Sequence, residues 1–66
     1  MTFGEKIQSL RKQSGLSQEE LSYRLGVSRQ AVSKWERNSG YPETEKLIKM
    51  SKLFNVTIDY LLGENN

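Results

Sequence analysis

The 66-residue chain contains no cysteine and no histidine, a single proline and a single tryptophan, and each shortage excludes something. Without cysteine there is no disulfide to staple a small core, and without cysteine or histidine the usual zinc ligands are missing. The longest strictly apolar run is Tyr60-Leu61-Leu62, far short of the ~20 residues that cross a bilayer. The N-terminus also lacks the apolar stretch of a signal peptide. These absences lead to the expectation of a cytoplasmic protein with no membrane association and no metal. A chain of this length holds one domain at most, and its core has to come from well-matched local elements.

Catalysis is equally constrained. Without histidine or cysteine it would need paired carboxylates, a lysine, or a serine with a base, and the acidic pairs Glu19-Glu20 and Glu43/Glu45 stand at helix starts. The five glycines, at positions 4, 15, 26, 40 and 63, are too scattered to cradle a phosphate. The expectation is no enzymatic activity, no cofactor and no small-molecule ligand.

Charge becomes informative once located. The net charge is +2, too small to argue for nucleic acid by itself. Residues 22–38, however, carry Arg24, Arg29, Lys34 and Arg37 against Glu36 alone. The flanking segments are close to balanced, so the positive surplus sits mid-chain.

Helix punctuation is legible throughout. Thr2 with Glu5 and Ser17 with Glu20 have capping-box spacing, and Leu16 with Leu21 and Val27 with Val32 occupy staple positions. Phe3, Ile7 and Leu10 share one helical face. The pattern predicts helices over about 3–14, from Ser17 to Gly26, from Ser28 to Arg37, over about 44–54, and from Thr57 to Gly63. Asn38 is expected to take the left-handed stop of the third helix. In the fourth, Leu47, Met50 and Phe54 are expected on the buried face with Ile48 alongside, and Glu43 is a mediocre cap. No window alternates as a strand would. The fold class is all-α.

The second and third helices, joined by the Gly26-Val27-Ser28 turn, form a helix-turn-helix candidate spanning about 17–37. At about 100° per residue, Arg29, Ser33, Arg37, Gln30 and Lys34 fall within one arc of about 140° on the third helix. Ala31, Val32 and Trp35 fall on the opposite side, where a core would lie. The outward arc has no carboxylate. Arginine can bridge guanine O6 and N7, glutamine can pair with adenine, and lysine suits guanine or phosphate, so the chemistry matches a reader of base edges in a DNA major groove. Any amphipathic helix also has a polar outer face, and the tight turn and the capped helix before it favour DNA.

At this point the segment from Leu16-Ser17-Gln18 through Gly26-Val27-Ser28 and Trp35-Glu36 to Asn55-Val56, Asp59 and Leu61-Leu62 resembles the phage-repressor type of helix-turn-helix domain, the Cro or XRE-like family. The likeness covers roughly residues 3–63. It implies a compact five-helix, lambda-repressor-like DNA-binding domain over 1–63, followed by a tail at 64–66. It also implies a bacterial or phage transcriptional regulator, a repressor, that acts on double-stranded DNA as a homodimer through the helix-five region and is nucleoid-associated.

Carried over position by position, the resemblance implies base contacts from Arg29, Gln30, Ser33 and Lys34. It implies phosphate contacts from Ser17, Gln18, Arg37, Asn38 and Thr44, and a structural ion pair between Arg11 and Glu36. The loop Asn38-Ser39-Gly40-Tyr41 departs from the family by lacking basic residues before the proline. Arg37, Lys6 and backbone amides are then expected to meet the phosphates. A competing reading keeps the scaffold and changes the partner: a protein-interaction module, such as an antitoxin or the N-terminal domain of a larger regulator, with Tyr23, Tyr41 and Tyr60 as anchors.

Overall fold

The computed structural model describes residues 1–63; the tail expected at 64–66 lies outside the described residues. Five helices follow in order, α1 (Phe3–Gln13), α2 (Gln18–Leu25), α3 (Arg29–Glu36), α4 (Thr44–Phe54) and α5 (Ile58–Leu62), with no strand among the described residues. The all-α expectation holds.

Local chemistry sets the boundaries. Thr2 and Ser17 each accept from the backbone N–H three residues on, and Glu5 and Glu20 accept in return from the cap N–H, so both capping boxes close. Ser28 and Thr57 cap α3 and α5 with their hydroxyl oxygens, whereas Glu43 makes no side-chain cap on α4. Asn38 adopts φ +59° just after α3, the left-handed stop expected from its short polar side chain.

Phe3, Ile7, Leu21, Leu25, Val32, Trp35, Met50 and Leu61 are buried together, so every helix contributes to one core. Each such side chain gives about 1.5–3 kcal/mol on leaving water. Two expectations fail here. Ile48 is 39% exposed, because the buried face of α4 centres on Met50 and leaves Ile48 at its margin. Lys6, expected at phosphates, is only 3% exposed. Its ammonium instead donates to the carbonyls of Tyr60 and Gly63, at 2.7 and 2.5 Å.

The approach of α1 to the end of α3 is close. A Cβ added to Gly4 would lie 2.5 Å from the carbonyl oxygens of Trp35 and Glu36. The Asn38 side chain closes the same junction, its Oδ1 accepting from Gly4 N at 2.9 Å and its Nδ2 donating to Thr2 Oγ1 at 3.0 Å. Beside it the Phe3 and Tyr41 rings stand 4.7 Å apart. The carboxyl end of α3 is thereby anchored to the amino end of α1.

Candidate nucleic-acid interface

The turn between α2 and α3 is built on one residue that needs a left-handed backbone. Gly26 has φ +72°, a conformation that costs glycine little and other residues more. Val27 N then reaches back to Ser22 O at 3.0 Å, and Ser28 caps α3 by accepting from Ala31 N at 3.1 Å. Val32 and Trp35 are buried from α3, which turns the opposite side of that helix to solvent.

On that outward side, Arg29, Gln30, Ser33, Lys34 and Arg37 line a shallow depression of about 220 Å³. All are exposed except Ser33, which is half-buried. Arg37 Nη1 donates to Ser33 Oγ at 2.6 Å, leaving the serine hydroxyl hydrogen free to donate. No carboxylate lines the depression. Three cations with a carboxamide and a hydroxyl make a concave surface suited to a polyanion with hydrogen-bonding edges.

The acidic residue of α3 faces inward. Arg11 Nε donates to Glu36 Oε2 at 2.6 Å and Arg11 Nη2 to Glu36 Oε1 at 3.2 Å, a fork-on-fork pair whose side chains are 10% and 3% exposed. Arg11 Nη1 also donates to Leu16 O at 2.8 Å. Glu36 Oε1 takes a further bond, from Gln18 Nε2 at 3.0 Å, and Gln18 Oε1 accepts from Arg29 Nη1 at 3.3 Å. A single hydrogen-bonded run therefore leads from the buried pair through Gln18 to the outward depression. The sequence reading paired Arg11 with Glu36 but kept Gln18 and Arg29 apart, as a phosphate contact and a base contact, and missed the link from the pair through Gln18 to Arg29.

The remaining sites of interest are more dispersed. Ser17 has its hydroxyl oxygen and its backbone N–H occupied by Glu20. The Ser17 N–H beside it holds the Glu20 carboxyl below the ordinary range, and Thr2 does the same for Glu5. Thr44 opens α4 exposed, and without a side-chain cap the first-turn N–H groups there are free of side-chain partners. Asn38 points both ends of its carboxamide into the α1 junction. Among the described residues no group of acids can hold a metal, and no helix is long and apolar enough to cross a membrane.

Comparison with known proteins agrees with this geometry. A helix-turn-helix family model matches residues 7–61. The chain is 55% identical over 63 residues to the HTH-type transcriptional activator BcrR of Enterococcus faecalis, covering 96% of this chain and 31% of that protein. It is 41% identical over 59 residues to the repressor protein C2 of Salmonella phage P22, covering 89% of this chain and 27% of the repressor. The crystal structure of the P22 c2 repressor in complex with a synthetic operator superposes with a TM-score of 0.90 at 38% identity, covering 96% of each chain. The chain thus spans about a third or less of the length of these two curated relatives.

Proposed function

From the premise that this chain belongs to the helix-turn-helix family of Cro/XRE type, we propose that it is a sequence-specific double-stranded DNA-binding domain of a transcriptional regulator, acting as a repressor. The observation that carries the reading is the carboxylate-free depression on α3, formed by Arg29, Gln30, Ser33, Lys34 and Arg37. In this reading α3 enters the major groove, and Arg29, Gln30, Ser33 and Lys34 meet base edges.

Gln18, Arg37, Ser17 and the amino end of α4 at Thr44 hold the phosphates on either side. Asn38 contributes through the second hydrogen of its amide nitrogen, since its backbone N–H donates to Trp35 O and the rest of its side chain braces α1. A homodimer through the α5 region places two readers on an inverted repeat. The partly exposed Tyr60 and Leu62 supply apolar surface there. The DNA-binding reading supports a cytoplasmic location for this domain.

The experiment is an in vitro selection of the protein against a randomised duplex library at near-physiological salt. Enrichment of an inverted repeat with half-sites about 10 bp apart, or a multiple, is the expected result. Repeating the selection with Gln30→Ala should relax one or two base positions by about 1–3 kcal/mol. Retention governed by salt alone, with no enriched sequence, would overturn the reading.

One observation favours a second activity on the same scaffold. Leu16, Glu19, Glu20, Tyr23 and Arg24 line a second depression, on the outer side of α2, with Tyr23 87% exposed. Were the chain an interaction module that does not use DNA, charge reversal at Arg29 and Lys34 would leave partner capture intact.

A further inference from the structure

The most unusual buried group in the molecule lies outside the reading face. Lys6 is 3% exposed, and among the described residues no carboxylate forms an ion pair with it. A buried ammonium has to be met by other groups. Here it donates to Tyr60 O at 2.7 Å and Gly63 O at 2.5 Å, and it stands 4.8 Å from the centroid of the Tyr60 ring. Its cage is therefore made almost wholly from the carboxyl end of α5.

α5 needs such a seat. It has five residues, too few to hold a helix without tertiary support, and only Leu61 is fully buried from it. A cation at a helix carboxyl end meets the negative pole of the backbone dipoles, and an ammonium–carbonyl bond is stronger than a neutral one. Tyr60 is gripped twice by the same ammonium, by its carbonyl and by its ring, while its side chain still reaches solvent beside the exposed Leu62.

We propose that Lys6 is a positioning residue for self-association: its ammonium fixes the rotation and height of α5 on α1, and so the Tyr60–Leu62 surface that one copy presents to another. The proposal rests on the dimer read above for the α5 region. Lys6 makes no contact with DNA in this scheme. It acts on operator binding only through pairing of the two copies.

The test compares Lys6→Met, which keeps the apolar stem and removes the ammonium, with the unaltered protein on a single half-site and on the inverted repeat. Half-site affinity should stay within about two-fold, and the gain from joining two half-sites should fall by about 100-fold. Amide hydrogen exchange of Leu61 and Leu62 should accelerate while that of Val32 and Trp35 does not. Should Lys6→Met not fold, Lys6→Gln, which keeps donors on a shorter stem, is expected to show the same pattern to a smaller degree.

Equal loss on both duplexes would make Lys6 a general stabiliser and overturn the proposal, as would unchanged exchange in α5. If the unaltered protein itself gains nothing from the second half-site, the dimer reading fails, and the positioning role with it. The exchange data then still report whether Lys6 seats α5.

Discussion

Gln18 and Arg29 meet across the turn between α2 and α3, the amide oxygen of the first accepting from Nη1 of the second at 3.3 Å. Glu36 holds the amide nitrogen from the other side at 3.0 Å, so the oxygen has one way to face, and one amide hydrogen remains for a phosphate. A phosphate contact and a base contact then depend on a single carboxamide. Gln18→Ala and Arg29→Ala should be non-additive in operator affinity, with a coupling of about 0.5–3 kcal/mol in a four-protein titration. Additive losses would show that the two side chains act independently.

The Arg11–Glu36 pair is more costly to break than to replace. Glu36→Ala leaves the Arg11 guanidinium desolvated with Leu16 O as its remaining partner, and should destabilise the fold by about 3–5 kcal/mol. Arg11→Met combined with Glu36→Leu removes both charges at once and should cost less than Glu36→Ala alone. Urea unfolding of the three proteins decides the matter. A double variant less stable than the single one would mean that the pair contributes net stability.

Gly4 is required by distance rather than by backbone angle. The Cβ of Gly4→Ala would meet two backbone carbonyl oxygens at 2.5 Å, and backbone cannot swing aside as a flexible side chain can. Separation of α1 from α3 should cost about 1–3 kcal/mol, which in a domain this small lowers the melting temperature by about 4–8 °C per kcal/mol. A melting temperature equal to that of the unaltered protein would show that the junction has slack.

Acid should destabilise the protein partly through its two capping boxes. Backbone N–H groups of Thr2 and Ser17 lower the pKa of Glu5 and Glu20 respectively in the folded state. A depressed folded-state pKa means stability that is fully present above the unfolded glutamate value and is lost as pH falls through the lower folded value. Carboxyl titration by NMR should place both groups below ordinary glutamate, and Glu5→Gln with Glu20→Gln should flatten the acid limb of stability against pH. A limb of unchanged slope would assign acid unfolding to other carboxylates.

Helix identity was legible because its determinants are local. The Thr2–Glu5 and Ser17–Glu20 boxes, and the stops at Gly26 and Asn38, need only near neighbours in the chain, and they form where the sequence puts them. The outward arc of α3 follows from the helical repeat in the same way. Lys6 was misplaced because charge was read as exposure. The repeat itself put Lys6 and Arg11 on the two flanks of the arc of Phe3, Ile7 and Leu10, at about 300° and 80° from Phe3, and that signal could have identified Lys6 as buried. The link from Glu36 through Gln18 to Arg29 was illegible for another reason. It joins residues 18 and 11 positions apart, and it depends on how α2 is set against α3.

The carboxylate-free depression on α3 has a cost when nothing is bound. Arg29, Lys34 and Arg37 repel one another with no acid beside them, so the unliganded domain carries a self-repulsion that a polyanion relieves. Added salt should accordingly act with opposite signs on the two states. Mobile anions screen the crowded cations and firm up the free protein, while the cations of the same salt compete for the phosphates and loosen the complex.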